Sequence, residues 1–306
     1  MSWIEVDDYD VTGWRAEASA ADLARSYCQQ LEQGRVLFFS HPPFEFSEDD
    51  REFLLNQRAG DSRLHKNISY RPQQDLMRGF SDGIEATQRM HGILRNYSRQ
   101  VVAFVSRFLA PYAGKFTLDF ASYRPFEEEG RDLTLHKRND LLHVDAFPSR
   151  PTHGGRILRV FTNIHPNKER VWMTGEPFRE LAKSYAEDAG LRKFAEKRSS
   201  MPRWLSQGMQ RIGMAVPHRS AYDSFMLRFH DYLKENRDYQ SASGKVRMVF
   251  PPMSTWLVFT DGVPHAALSG QCALEQTFII PRPALVAPND SPIQVLEQIC
   301  GKPLSD

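Results

Sequence analysis

Cysteine is scarce in this chain. Its three copies among 306 residues, Cys28, Cys272 and Cys300, are odd in number, far apart and without a Cys-x-x-Cys spacing. That excludes a disulfide framework and a thiolate zinc site, and points to reduced thiols in a cytoplasmic protein. Long apolar runs are missing as well. Blocks such as Val36-Leu37-Phe38-Phe39 fall far short of the roughly 20 residues of a membrane-spanning helix. Neither sign of charge is in excess: 39 Lys and Arg against 38 Asp and Glu leave +1. No general affinity for nucleic acid is expected from that balance, although it permits a local basic patch. Residues 1–8 are acidic and lack an apolar core, so no secretory signal is expected. There are no repeats, no low-complexity tract and no Gly/Ser-rich linker. With 41% hydrophobic residues, 1–306 reads as one globular domain.

What is present divides into two patterns. Residues 19–33 place Leu23, Ala24, Tyr27, Cys28 and Leu31 at helical spacing before Gly34. Ser47-Glu48-Asp49-Asp50 has the look of a helix start. Between 84 and 112, Met90, Ile93, Leu94, Tyr97, Val101, Phe104, Val105 and Leu109 predict a long helix. Residues 61–80 are polar and irregular and read as a surface loop. From 116 onward the character changes to short β-branched and aromatic segments: 116–123, 157–164, 170–173, 246–250, 255–260 and 273–280. The expected fold is α+β, with a double-stranded β-helix (jelly-roll, cupin-like) core over 116–285 and a helical flank over 1–115. A helical insertion at about 176–240, with helices at 178–194 and 222–235, interrupts the strands.

The most informative stretch is Leu141-Leu142-His143-Val144-Asp145-Ala146-Phe147-Pro148. A strand alternates its side chains, so His143 and Asp145 share a face. An imidazole and a carboxylate one pleat apart supply two of the three ligands of a facial non-heme iron site. A His at the start of a late strand supplies the third, and His265, after the Gly262-Val263-Pro264 turn, is placed for it. The other histidines read more plainly. His136 is solvated in a polar loop, His153 sits in a turn or contacts substrate, His165 ends a strand, and His230 is partly buried in a helix.

Such a site usually chelates 2-oxoglutarate, whose far carboxylate needs a cation, and Arg offers a two-pronged one. Arg159 stands in the apolar strand Ile157-Leu158-Arg159-Val160-Phe161-Thr162-Asn163-Ile164. Arg159, Phe161 and Asn163 share the face expected to line a cavity. Arg124 and Arg282 are the rival anchors. Between 191 and 219, seven basic residues stand against Glu196 alone, interleaved with Phe194, Met201, Trp204 and Met209. Arg198, Arg203, Trp204 and Arg211 there suit an anionic membrane surface; an ordinary solvated face fits the same pattern.

Three segments carry a resemblance to a known family: 142–151, 155–161 and 222–234, the last reading Tyr222-Asp223-Ser224-Phe225-Met226-Leu227-Arg228-Phe229-His230-Asp231-Tyr232-Leu233-Lys234. Together they resemble the bacterial Kdo hydroxylases, Fe(II)/2-oxoglutarate dioxygenases that act on lipopolysaccharide. The resemblance implies Fe(II) held by His143, Asp145 and His265, with 2-oxoglutarate and O2 as co-substrates and ascorbate as a reductant. It implies hydroxylation of lipid A-linked 3-deoxy-D-manno-oct-2-ulosonic acid (Kdo) at carbon 3 to D-glycero-D-talo-oct-2-ulosonic acid (Ko). A cytoplasmic location follows, with peripheral contact to the anionic inner membrane left open. Arg138, Arg150, Arg156 and Arg219 are the expected clamps on the anionic sugar. Many members of the wider class carry an Arg about ten residues after the distal His; here Glu275-Gln276-Thr277 stands there, which favours Arg159 as anchor. The alternatives are a related oxygenase acting on another small molecule or protein side chain, and a metal-free jelly-roll binding module.

Overall fold

The computed structural model describes residues 3–9, 19–57, 67–196 and 219–305. In chain order the elements are β1 (Trp3–Glu5), α1 (Ser19–Glu32), β2 (Val36–Phe39), α2 (Glu48–Asn56), β3 (Ile68–Arg71), β4 (Leu76–Arg78), α3 (Gly83–Phe108) and β5 (Thr117–Arg124). They continue with β6 (Arg156–Asn163), β7 (Arg170–Thr174), α4 (Phe178–Tyr185), α5 (Leu191–Glu196), α6 (Ala221–Glu235) and α7 (Arg237–Ser241). The last are β8 (Val246–Phe250), β9 (Thr255–Phe259), β10 (His265–Ser269), β11 (Ala273–Ile280) and α8 (Pro292–Cys300). Eight strands form one sheet in the order β1-β2-β9-β6-β11-β5-β3-β4, and β10-β7-β8 form a second. This is the expected jelly roll.

Period-2 alternation decides which way each strand of the large sheet faces. Leu37 and Phe39, Leu158 and Val160, Leu257 and Phe259, and Leu274 and Phe278 pack outward against Ala24, Cys28 and Leu31 of α1 and the apolar stripe of α3. Their neighbours Val36 and Phe38, Phe161, and Trp256 and Val258 face the interior, where they meet Trp172, Met248 and Phe250 of the small sheet. The indole of Trp256 stacks on Phe250 at 3.9 Å and on Phe161 at 5.3 Å. A third apolar cluster joins the insertion to the stretch around His143: Phe178, Leu181, Phe225, Phe229 and Leu233 pack with Leu142, Val144, Ala266 and Ile293.

Four expectations need correction. The polar region 61–80 contains β3 and β4, because Ile68 and Tyr70 alternate onto the buried face that packs against the helices while β3 pairs with β5. The flank also contributes β1 and β2, so the large sheet draws half its strands from before residue 115. The 178–194 helix is two helices, since Gly190 adopts φ +94°, a left-handed conformation that ends a helix. The stretch around His143 is not a regular strand: it pairs with β10 through a single bridge, His143 to His265.

Candidate metal centre

His143 and His265 exchange both backbone hydrogen bonds, at 3.1 and 2.9 Å, and the Asp145 N–H donates to the Thr260 carbonyl at 2.9 Å. These bonds bring two stretches distant in the chain onto one spot. The turn before His265 is tight, with Gly262 and Val263 both donating to Phe259 O. A Cβ at Gly262 would run into the Arg156 guanidinium, which explains the glycine.

The tautomers are set by the backbone. His143 Nδ1 lies 2.7 Å from Leu141 O and His265 Nδ1 lies 2.9 Å from Val263 O. A carbonyl only accepts, so each Nδ1 carries the proton and each Nε2 keeps a free lone pair. One ligand atom each from His143, Asp145 and His265 lies within 4.8 Å of the others, and His143 Nε2 is 3.8 Å from Asp145 Oδ1. Burial pushes both imidazoles below their ordinary pKa, with neighbouring cationic groups adding to the effect, so both are neutral near pH 7. Burial alone would raise the Asp145 carboxyl, but the Arg159 guanidinium beside it holds it well below the usual range. Its Oδ2 is buried without a hydrogen bond: an Arg159 nitrogen lies 3.1 Å away, outside hydrogen-bond geometry. Two neutral imidazoles and an ionised carboxylate with an unsatisfied oxygen form a donor set that fits a divalent iron ion with open positions.

Arg159 faces the interior, as its strand position predicts. Beyond Asp145 it reaches Glu275 Oε1 at 3.1 Å, and its own Nε is buried without a hydrogen bond. Arg124 grips the other oxygen of Glu275 at 2.6 and 2.7 Å and lies 3.7 Å from Glu128, which in turn pairs with buried Arg170 at 3.1 Å. Charges therefore alternate along Asp145, Arg159, Glu275, Arg124, Glu128 and Arg170, which is how a jelly-roll interior tolerates them. Glu275, 5% exposed, is the hub that sequence reasoning passed over. An acid inside the apolar strand 273–280 was the signal for it.

Arg282 is not brought to this centre; it donates to Gln294 and lies 3.7 Å from Glu297. Arg156 is not at the mouth either. It is 1% exposed and paired with Asp261 at 2.8 Å, because a buried guanidinium needs a counter-charge. Arg150 lines a cavity of about 660 Å³ together with Arg71, Asp119, Phe120, Thr152 and His153. Its guanidinium sits 4.1 Å from the Phe120 ring centre and 4.5 Å from that of Phe147, and Arg159 approaches the same Phe147 ring at 5.5 Å. The Phe147 ring thus stands between Arg150 of the cavity and Arg159, the neighbour of Asp145. Arg138 is half-exposed and pairs with Asp140 at 2.6 Å, and Arg219 donates to Pro148 O. Arg198, Arg203, Trp204 and Arg211 lie outside the described residues.

The remaining histidines fall where the sequence suggested. His136 is exposed beside Glu235 at 2.9 Å, and His153 takes a turn conformation with φ +50°. His165 Nδ1 accepts from the N–H groups of Asn167 and Lys168. His230 is half-buried on α6, with its ring 4.8 Å from that of His143.

A jelly roll that presents two histidines and an aspartate to one point, with buried arginines paired to carboxylates beside them, defines the class of non-heme Fe(II)/2-oxoglutarate-dependent dioxygenases. The comparisons with known proteins agree. The family model for 3-deoxy-D-manno-oct-2-ulosonic acid (Kdo) hydroxylase matches residues 14–303. The chain belongs to the Kdo hydroxylase family. It is 35% identical to the Kdo hydroxylase KdoO, a non-heme Fe(II) α-ketoglutarate-dependent dioxygenase, solved in complex with α-ketoglutarate and Fe(III). That match covers 100% of this chain and 98% of the other at a TM-score of 0.81. The apo form of KdoO matches at the same identity and coverage with a TM-score of 0.82. The cobalt(II) complex matches at 35% identity and 0.82 over 99% of this chain and 97% of the other. No curated protein matches the chain. The reading as a metal-free binding module is therefore set aside: the protein is an enzyme of the Fe(II)/2-oxoglutarate class. Among the described residues no helix is long and apolar enough to cross a membrane.

Proposed function

We propose that this enzyme hydroxylates Kdo carried on lipid A at carbon 3, giving Ko. The observation that carries this reading is the convergence of His143, Asp145 and His265 on one point, in a chain of the Kdo hydroxylase family. Fe(II) held by the three ligands, with 2-oxoglutarate and O2, supplies the oxidising power that converts C–H to C–OH while 2-oxoglutarate leaves as succinate and carbon dioxide. The protein's own part is positional. Arg159 is the anchor for the far carboxylate of 2-oxoglutarate, with Arg124 behind it: its fork is already aimed at two carboxylates and retains a buried free Nε. Arg150 meets the anionic sugar at the cavity, and Arg138 and Arg219 are the further candidate contacts to it. The basic, Trp-bearing segment with Arg198, Arg203, Trp204 and Arg211 approaches the anionic cytoplasmic face of the inner membrane, where the acceptor lipid resides.

The test is direct. Incubation of the enzyme with Kdo-bearing lipid A, Fe(II), ascorbate and 2-oxoglutarate is expected to add one oxygen to the Kdo residue, located at carbon 3 by fragmentation mass spectrometry. Succinate formation without any oxygen gain on the sugar would transfer the activity to another acceptor. Vesicles of anionic and neutral lipid test the surface reading: charge reversal at Arg198, Arg203 and Arg211 is expected to abolish the preference for anionic vesicles, and an unchanged preference would remove it.

A further inference from the structure

The stretch that carries His143 and Asp145 has a β-partner on one edge only. In an antiparallel pair, a residue that exchanges both backbone bonds with its neighbour leaves the flanking residues facing the opposite edge. His143 makes that exchange with His265, so Leu142 and Val144 turn their peptide groups the other way. No strand stands there among the described residues. Side chains from the helical insertion do. The Leu142 N–H donates to Gln240 Oε1 at 3.0 Å and Leu142 O accepts from Gln240 Nε2 at 2.9 Å. Val144 O accepts from His230 Nδ1 at 2.8 Å.

A primary amide is a peptide group in miniature, with one acceptor and one donor side by side. Gln240 presents both to a single residue, as a neighbouring strand would. It is itself held firmly. Its Nε2 also donates to Leu233 O at 2.7 Å, its N–H donates to Asn236 O at 3.0 Å, and Asn236 caps α7 through Tyr239 N–H at 3.0 Å. The helices that carry these groups share an apolar cluster with Leu142, Val144 and Ala266, so they are keyed to the same stretch by packing as well.

We infer that Gln240 and His230 are positioning residues of the metal centre: side chains of the insertion complete the sheet edge beside His143 and Asp145 and set where those two ligands stand. The insertion is then part of the metal site's scaffold. By linkage, metal binding and the docking of α6–α7 stabilise each other. The inference does not depend on which sugar is the acceptor.

The experiment measures metal, not turnover. Metal-free protein is titrated with Co(II) against a competing chelator, and hydrogen exchange over 221–241 is followed with and without Co(II). Gln240→Met keeps length and bulk but neither donates nor accepts strongly, and it is expected to weaken Co(II) binding by about 10- to 100-fold, the usual loss when a partner of a metal ligand is removed. His230→Leu is expected to do the same. In His230→Asn an amide N–H stands where Nδ1–H stood, so much of the affinity is expected to return. Co(II) is expected to slow exchange across 221–241 in the wild type and much less in Gln240→Met. Wild-type Co(II) affinity in both Gln240→Met and His230→Leu would overturn the inference. Should Gln240→Met lose cooperative unfolding, the His230 pair decides: equal affinity in the Leu and Asn variants overturns it, and recovery in Asn alone supports it.

Discussion

Replacing Arg159 by Ala probes the charged interior where its ion pairs are most tightly coupled. The guanidinium has one nitrogen 3.1 Å from Asp145 Oδ2 and another 3.1 Å from Glu275 Oε1. If it anchors 2-oxoglutarate with both prongs, the two charge-assisted bonds are worth about 1.5–3 kcal/mol each. The gain is discounted because the free enzyme already satisfies the same prongs with protein carboxylates, leaving about 2–4 kcal/mol net. That corresponds to a rise of roughly 30- to 1000-fold in the 2-oxoglutarate Kd. Glu275 stays paired in the variant, because Arg124 holds its other oxygen at 2.6 Å, so the interior charge chain is shortened rather than broken. Arg159→Lys keeps the charge and loses the fork, and should fall between wild type and Ala. The assay is calorimetric titration of 2-oxoglutarate into Co(II)-loaded protein, alongside succinate formation as a function of 2-oxoglutarate. A Kd within threefold, or about 0.7 kcal/mol, of wild type in Arg159→Ala would refute the reasoning. A large loss in Arg124→Ala under the same conditions would transfer the role to Arg124.

Two further outcomes are expected. Asp145→Ala and His143→Ala should each abolish Fe(II)-dependent succinate formation while leaving the far-ultraviolet circular dichroism unchanged; wild-type succinate yield in either variant would remove that residue from the ligand set. Glu128 governs part of the acid stability. Burial opposes its ionisation, but Arg170 and Arg124 overcome that and hold its carboxyl below the ordinary 4.5. Between the two pKa values the unfolded chain binds the extra proton, so this contribution is complete above about 4.5 and is lost as pH falls through the depressed folded value. Glu128→Gln should lower stability near pH 7 by about 3–5 kcal/mol, since Arg170 is left buried and unpaired. It should also flatten the dependence of stability on pH below 4.5. Urea unfolding across that range measures both, and an unchanged slope would show that Glu128 is not the titrating group.

Much of this protein was legible in its residue order because periodicity is a local property. The stripe through Met90, Leu94, Tyr97, Val101 and Phe104 announces α3, and the alternation of Leu158 and Val160 against Arg159 and Phe161 states which side of β6 meets the helices and which meets the interior. His143 and Asp145 declare themselves by spacing, and His265 by the turn that precedes it. Polar composition misled where it outweighed alternation, as at Ile68 and Tyr70, which fold into an inner strand despite their surroundings.

What spacing does not contain is the identity of partners distant in the chain. Whether Arg156 or Arg159 faces a carboxylate, and which one, depends on the register between β6, β9 and β11. Only the assembled sheet puts Glu275 between Arg124 and Arg159 and gives Asp261 to Arg156. Nor does any pattern near residue 143 foretell that an amide 98 positions later would stand in for a strand. Local sequence selects the elements because backbone preference and side-chain alternation act over a few residues. Long-range pairing assigns the charges because a buried ion settles wherever the completed fold supplies its opposite.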